Sequence, residues 1–380
     1  MIKNNAYKFR IYPNQNQITL IIKTFGCCRL YHNLALDKIY KTFGEERDVK
    51  RKIAYPSFYK KQDKYFFMKE IDSLSLANEQ LDTMKAFKNY DSEKSEKPRF
   101  KSKRELDKSY TTNKVGANIR IENNKIRLPK LGLVRMKKHR ILKGEIKNVT
   151  VSQDSCGRFY VSICTELEIE EIKKVKPIKY IGLDYSSPSC WIDSNGYSPN
   201  LRFYRNYEEK VKRNDKKLSR KVLHSQNWKK QLYKNNKVHS KIANSRKDVL
   251  HKESKKYVDN YDVICFEDID LRGFAKALKL GKSTLDNGFG MFRNFVKYKV
   301  ENQGKYFIKI PKHYPSTQTC SNCGNVKDKE NKLKLNDRVY HCNVCGFTKD
   351  RDVNAALNIM KKGRDCLDSL LNKLSIESCS

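Results

Sequence analysis

The sequence predicts a multidomain α+β protein: a small β-barrel interrupted by inserted helices, followed by an α/β domain that carries an inserted zinc ribbon. Three observations predict it. Short alternating segments crowd residues 98–168, two apolar runs end in the carboxylates Asp184 and Glu267, and four cysteines form two Cys-x-x-Cys pairs with eighteen residues between them.

Residues 6–12 set Tyr7, Phe9 and Ile11 against Lys8, Arg10 and Tyr12, the period of a half-buried strand, and Pro13-Asn14 stops it. A helix comes next, because Ile18, Ile22, Phe25, Cys28, His32, Ala35 and Ile39 recur every three or four residues and leave a basic outer face. Aromatics then mix with lysines (Lys60, Lys61, Lys64, Tyr65, Phe66, Phe67), as core residues or as platforms on which bases stack. Leu76, Gln80, Met84 and Phe87 return to helical spacing, and the aperiodic charged stretch 91–97 is a loop. From Pro98 the pattern turns β, with strands at 118–122, 125–128 and 149–152. The last enters a hairpin through Asp154-Ser155-Cys156-Gly157 into 158–163. These strands suit a small barrel that residues 6–12 can complete, which makes the helices in between an insertion.

After a charged linker at 168–176 the character changes to α/β. The apolar run 178–183 is a strand ending at Asp184, with 190–193 as its hairpin partner. A single long helix is expected over 208–256, crowded with cations that include Lys216, Lys217, Arg220, Lys229 and Lys230. Residues 261–266 form a strand ending at Glu267, 288–303 a helix, and 305–310 a strand leading into the cysteines. Asp352 opens a helix through Val353, Ala356, Leu357 and Met360, whereas the pattern beyond Lys361 is weak and reads as a tail.

Cys320-Ser321-Asn322-Cys323 and Cys342-Asn343-Val344-Cys345 have the spacing of a structural four-thiolate zinc site, a rigid element that helps to hold the acidic segment just beyond it. Disulfides are the other use of four cysteines. No apolar run of the kind that directs secretion stands behind Met1-Ile2-Lys3-Asn4-Asn5, so the expected compartment is a reducing one. The other eight cysteines, Cys27, Cys28, Cys164 and Cys265 among them, read as small core residues.

A formal charge of +37 over 380 residues, with pI near 9.7, exceeds what solubility requires and attracts polyanions. No segment has the apolar length to span a bilayer and the cations are spread along the whole chain, which favours nucleic acid over membrane. In such a chain the acids Asp184, Glu267 and Asp352 stand out. Taken singly each reads as a cap or a solvated turn, but three carboxylates at strand ends and a helix start can converge on divalent ions that serve phosphodiester cleavage. Oxygen donors suit magnesium or manganese.

The order Gly182-Leu183-Asp184, Phe266-Glu267-Asp268-Ile269, Ser316-Thr317-Gln318-Thr319-Cys320-Ser321-Asn322-Cys323-Gly324 and Asp350-Arg351-Asp352-Val353-Asn354-Ala355-Ala356-Leu357-Asn358-Ile359 resembles TnpB (OrfB). This is a family of bacterial insertion-sequence proteins related to the miniature type V CRISPR effectors. The C-terminal motifs are specific, and the N-terminal region agrees mainly in layout. The resemblance implies an RNA-guided endonuclease that cleaves double-stranded DNA beside a transposon-adjacent motif and supports maintenance of the element. Its implied partners are a guide RNA from the element's end and double-stranded target DNA, with no membrane, in the bacterial cytosol at the nucleoid.

The same resemblance implies a split wedge barrel at 1–12 and 98–168, a helical recognition lobe at 13–97, and an RNase-H-like (RuvC) nuclease domain at 177–310 and 350–362. A zinc-ribbon insert at 311–349 and a tail at 363–380 complete the layout. Asp184, Glu267 and Asp352 become the catalytic acids holding Mg2+ or Mn2+, and Cys320, Cys323, Cys342 and Cys345 the zinc ligands. Asp352 is preferred to Asp350 because the family's third acid precedes an x-Asn-Ala-Ala run. Base pairing with the guide then supplies sequence choice. The lysine-rich helix, at Lys216, Lys217, Arg220, Lys229 and Lys230, takes phosphates, and the helix around Ser75, Asn78 and Gln80 is a candidate reader of base edges. One departure is the turn Tyr185-Ser186-Ser187-Pro188, where many relatives carry a glycine. The rival readings are a CRISPR effector nuclease and a non-catalytic guided repressor, the second of which needs no acids.

Overall fold

The computed structural model describes residues 1–44, 46, 53–104, 108–187, 189–271, 273, 286–334 and 336–377, and within these the side chains up to residue 372. The chain divides into two compact units, Met1–Glu171 and Ile172–Ser380.

In the first unit seven strands form one sheet in the order β2-β6-β7-β1-β5-β4-β3. They are β1 (Ile2–Tyr12), β2 (Lys108–Asn113), β3 (Arg120–Glu122), β4 (Lys125–Leu128), β5 (Gly132–Met136), β6 (Glu145–Gln153) and β7 (Phe159–Glu168). The first strand lies inside the ladder. It pairs antiparallel with β7 from Ile2↔Glu168 to Ile11↔Phe159 and with β5 at Ile11 and Tyr12, while β2 and β3 form the two ends. Two of these strands carry no sequence signal. β2 reads Lys-Ser-Tyr-Thr-Thr-Asn and buries only Tyr110 and Thr112, and β5 is five residues long with Val134 and Met136 inside.

Helix α1 (Gln15–Phe43) begins at a capping box in which the Asn14 side chain accepts from the Gln17 amide and the Gln17 side chain accepts from the Asn14 amide. Its inner face packs Ile21, Phe25, Cys28 and Tyr31 against Phe9, Ile11, Val149 and Val161 of the sheet. Ile22, expected on that stripe, points outward and is 49% exposed; Ile21 takes its place because the buried arc is centred one residue earlier. The short α2 (Pro56–Lys60) and a 3-10 turn (Asp63–Lys69) lead to α3 (Ser73–Asp91), where Leu76 and Phe87 are buried and Met84 is exposed. A buried polar cluster joins α1 and α3: Glu79 accepts from Lys101 and sits 3.2 Å from His32 Nδ1, which also meets Thr83 Oγ1 at 3.0 Å.

In the second unit a four-stranded sheet has the order β11-β10-β8-β9. Here β8 (Tyr180–Ser186) and β11 (Tyr306–Ile310) flank β10 (Val263–Glu267) in parallel, and β9 (Cys190–Asp193) is the antiparallel hairpin partner of β8. The helix expected over 208–256 is two helices, α4 (Glu208–Ser219) and α5 (Gln226–Asn260), because the Ser225 side chain caps α5 by accepting from the Trp228 amide. They pack together through Phe203, Val211, Val238 and Ile242. Helix α6 (Phe289–Asn302) buries Phe289, Phe292, Val296 and Val300 beneath Trp191 and Phe266.

Two further differences concern ends. Strand β8 runs two residues past Asp184, because the hairpin with β9 continues to Ser186↔Cys190 after the parallel pairing with β10 has stopped at Leu183↔Phe266. The expected tail at 363–380 is mostly helix: α7 (Arg351–Glu377) continues, and Leu367 is buried on Cys265, Ile308 and Ile310. The last three residues lie outside those described, as does Pro188 of the turn after Asp184.

Candidate metal centres and nucleic-acid interface

Three elements bring Glu267 and Asp352 within electrostatic range of Asp184, while the four cysteines make the one close cluster of metal-ligating groups among the described residues. Asp184 lies on β8 just beyond its last parallel pair, Glu267 is the final residue of β10, and Asp352 is in the first turn of α7. Asp184 is buried, and burial is the first cause that pushes its carboxyl well above the ordinary carboxylate range; the Glu267 and Asp352 carboxylates add to the rise. The Tyr185 amide and the Arg351 guanidinium pull the other way without cancelling it. Burial also raises Glu267. Asp352 is held by its neighbour: Arg351 Nε and Nη2 both donate to Asp352 Oδ1, at 3.0 and 2.9 Å. Asp350 has a different task. Its Oδ1 accepts from the amides of Asp352 and Val353, at 2.9 and 3.0 Å, so it caps the helix.

Small residues let α7 approach the sheet this closely. A Cβ on Gly182 would overlap the Ala356 carbonyl oxygen, and one on Gly363 would overlap the Cys265 sulfur. The glycine two residues before Asp184 is therefore required by contact with the helix that carries Asp352.

The four cysteine sulfurs lie within 4.8 Å of one another, with Cys320–Cys345 and Cys323–Cys342 each at 3.7 Å. A tetrahedral site with Zn–S bonds of about 2.3 Å has S–S edges of about 3.8 Å. The donor set thus fits zinc. Strands β12 (Val339–His341) and β13 (Thr348–Asp350) make the ribbon's hairpin, and Tyr340 is buried among Cys320 and Cys342. Sequence reasoning missed what ties this ribbon to α7. Asn354 and Asn358 are both buried: Asn354 accepts from the Ser321 amide at 2.9 Å and donates to Thr319 O at 2.8 Å, and Asn358 donates to Ser316 O and Thr319 O. The i, i+4 spacing of two asparagines ahead of the apolar positions is the signal that could have found them.

Lys216, Lys217, Arg220, Lys229 and Lys230 are exposed, and none forms an ion pair among the described residues. On α3 the picture differs from expectation. Ser75 is buried with its hydroxyl donating to Asp72 O, and Asn78 spends its amide on Leu74 O of its own helix. Gln80 instead lines an open cleft of about 1040 Å3 together with Lys38, Tyr55, Lys60, Leu81 and Met84. Phe66 and Phe67 are exposed, and the Lys69 ammonium sits 4.1 Å from the Phe66 ring centre. Of the eight other cysteines, Cys27, Cys28, Cys156, Cys190 and Cys265 are buried, Cys164 and Cys366 half-buried, and Cys379 lies outside the described residues. No helix among the described residues is long and apolar enough to cross a membrane.

The chain is similar to known proteins. Residues 162–278 match the family described as a probable transposase (OrfB_IS605), residues 1–47 its helix-turn-helix domain, here β1 and α1, and residues 289–359 the Cas12f1-like TNB domain. An Escherichia coli K12 protein named as the RNA-guided DNA endonuclease InsQ is 32% identical across 97% of this chain and 94% of its own. A Streptomyces pristinaespiralis protein named as an RNA-guided DNA endonuclease is 31% identical across 94% of this chain and 89% of its own. The Cas12f1 chain solved by cryo-EM with sgRNA and target DNA shares the fold, with a TM-score of 0.56 at 12% identity over 94% of this chain and 99% of that one. Identity sustained over nearly the full length of both the chain and its relatives establishes that the protein belongs to the TnpB (OrfB) family of insertion-sequence proteins.

Proposed function

We infer that the protein is an RNA-guided DNA endonuclease of the insertion-sequence type. One observation carries the reading of its centre: a buried carboxylate, Asp184, repelled by two others that reach it from a second strand and a helix. Such a cluster calls for cationic charge even in a chain whose formal charge is +37. Its donors are all oxygens, which fits Mg2+ or Mn2+ held by Asp184, Glu267 and Asp352. Bound there, divalent ions supply a nucleophilic water at neutral pH and stabilise the leaving oxygen of a phosphodiester.

The chain's own residues do the rest. The unpaired cations of α4 and α5 take the phosphates of a guide RNA and its DNA heteroduplex, which leaves sequence choice to base pairing. In this reading the β11-β10-β8-β9 sheet with α7 is an RuvC-like nuclease domain over 177–310 and 350–362, and the ribbon at 311–349 is its insert. The seven-stranded sheet is the wedge at 1–12 and 98–168, with the helices of 13–97 as recognition lobe. The guide comes from the element's own end, and Gln80 in its basic, apolar cleft is the residue kept as a reader of the adjacent DNA motif. Structural zinc on Cys320, Cys323, Cys342 and Cys345 supports the third acid.

The test is cleavage of a guide-matched duplex in the presence of Mg2+. Asp184→Ala and Glu267→Ala each lower the cleavage rate by at least a thousandfold while guide-RNA and target affinity stay within threefold of wild type. Cleavage that survives either substitution would sink the assignment.

A further inference from the structure

We propose that Arg351 is a positioning residue that ties the state of the four-cysteine ribbon to the third carboxylate of the acid cluster, so that an ordered ribbon sets the cluster's affinity for a divalent ion. This rests on the reading of Asp184, Glu267 and Asp352 as an oxygen-donor metal site.

Arg351 is held from one side and acts on the other. Its amide donates to Arg338 O at 2.8 Å and its Nη1 to Lys334 O at 3.5 Å. Both acceptors lie in the ribbon arm that runs into Cys342. The residue before it, Asp350, pairs with Val339 in the ribbon's hairpin, so α7 starts where β13 stops. On the other side, the guanidinium places two N–H bonds on Asp352 Oδ1, with only 15% of the Arg351 side chain exposed. Asp352 Oδ2 accepts no hydrogen bond among the described residues, so the same contact that fixes the plane of the carboxylate leaves one oxygen to a metal ion.

Arginine suits this task and lysine does not. The planar fork sets an angle as well as a distance, whereas an ammonium supplies charge alone. If the thiolate cage opens, the carbonyls of Lys334 and Arg338 lose their anchor, Arg351 loses these two restraints, and the Asp352 carboxylate turns. Partners that orient a metal ligand in this way typically govern 10–100-fold of metal affinity.

The experiment is titration of the full-length, nucleic-acid-free protein with Mn2+, an ion that prefers oxygen donors, followed by the electron paramagnetic resonance of free Mn2+, with zinc content measured on the same samples. Arg351→Gln and Arg351→Lys each weaken the tightest Mn2+ class tenfold or more with zinc retained. Removing zinc from the wild type weakens it to a similar degree, and removing zinc from either variant adds less than threefold, because both changes break one linkage. Wild-type affinity in Arg351→Lys, tighter binding in Arg351→Gln, or a zinc-free wild type with undiminished Mn2+ affinity would each overturn the proposal. The last measurement decides even where a variant fails to hold zinc. Glu267→Gln is the control on the underlying reading: Mn2+ binding that ignores it means the acid cluster is not the metal site, whatever Arg351 does.

Discussion

Asp350 and Asp352 stand two residues apart and do unlike things. The first is consumed in capping α7, and the second keeps Oδ2 free of hydrogen bonds among the described residues. The motif's register, with the acid placed directly before Val353-Asn354-Ala355-Ala356, points to Asp352, and the capping role of Asp350 is visible only in three dimensions. Charge held against its own interest has a measurable consequence. With no ion bound at the acids, Asp184→Asn removes a buried carboxylate repelled by Glu267 and Asp352 and stabilises the protein by about 1–2 kcal/mol, a rise in Tm of about 2–4 °C by calorimetry in buffer free of Mg2+ and Mn2+ with the ribbon's zinc retained. A Tm that falls would mean the carboxylate is structural.

Glu79 is the opposite case. Burial pushes its carboxyl up, but the bonds from His32 and Lys101 outweigh that and hold it below its ordinary value of 4.5. Because the folded group titrates below the unfolded one, its stabilisation is complete above about pH 4.5 and drains away as pH falls through the folded value. Glu79→Gln therefore lowers stability at neutral pH by about 2–3 kcal/mol, since Lys101 keeps some contact with water. The unfolding curves of variant and wild type converge as the pH is lowered toward 3, which a denaturant series at several pH values reads directly.

Among the elements, those with a strong apolar period were legible and those defined by partners were not. The strands that carry Asp184 and Glu267, the hairpin at Cys190–Asp193, and α1, α3 and α6 follow from spacing, because each must bury its apolar residues. β2 escaped notice because its neighbours supply its apolar environment. The weak pattern beyond Lys361 concealed the rest of α7 for a similar reason: Gly363 faces Cys265 because no larger residue fits, and a glycine in a helical run argues locally against a helix. The link between α7 and the ribbon makes a prediction at this scale. Asn354→Ala leaves the Ser321 amide and one bond to Thr319 O without a partner, at a cost of about 2–4 kcal/mol, and hydrogen exchange of residues 316–323 accelerates while that of β1 and β7 is unchanged.

At the level of the whole molecule, composition alone pointed to a polyanionic partner, and the structure leaves Lys216, Lys217, Arg220, Lys229 and Lys230 exposed and outside any ion pair among the described residues. The combined substitution Lys216→Ala, Lys217→Ala and Arg220→Ala reduces the slope of log affinity against log salt concentration for nucleic acid by about 2–3, with little change in Tm; an unchanged slope would assign the phosphates to another face. Motif order across most of the chain revealed the family, because it depends on residues whose chemistry tolerates little substitution. Which surface residues meet RNA or DNA was much less legible, since Ser75 and Asn78 look available in a sequence and are already spent on backbone carbonyls in the fold.

The place of β1 inside its sheet bears on how the chain comes off the ribosome. Its ten-residue pairing partner ends at Glu168, and β5, its other neighbour, lies beyond residue 130. At ordinary translation speeds the first strand waits on the order of ten seconds for a partner, with both of its hydrogen-bonding edges open. The inserted helices emerge in that interval and can form from local contacts, so α1, whose inner face covers Phe9 and Ile11, is placed to shelter the strand until the sheet closes around it. Mutations that weaken the capping box at Asn14 and Gln17 should therefore lower the soluble yield of newly made protein more than they lower the stability of protein already folded.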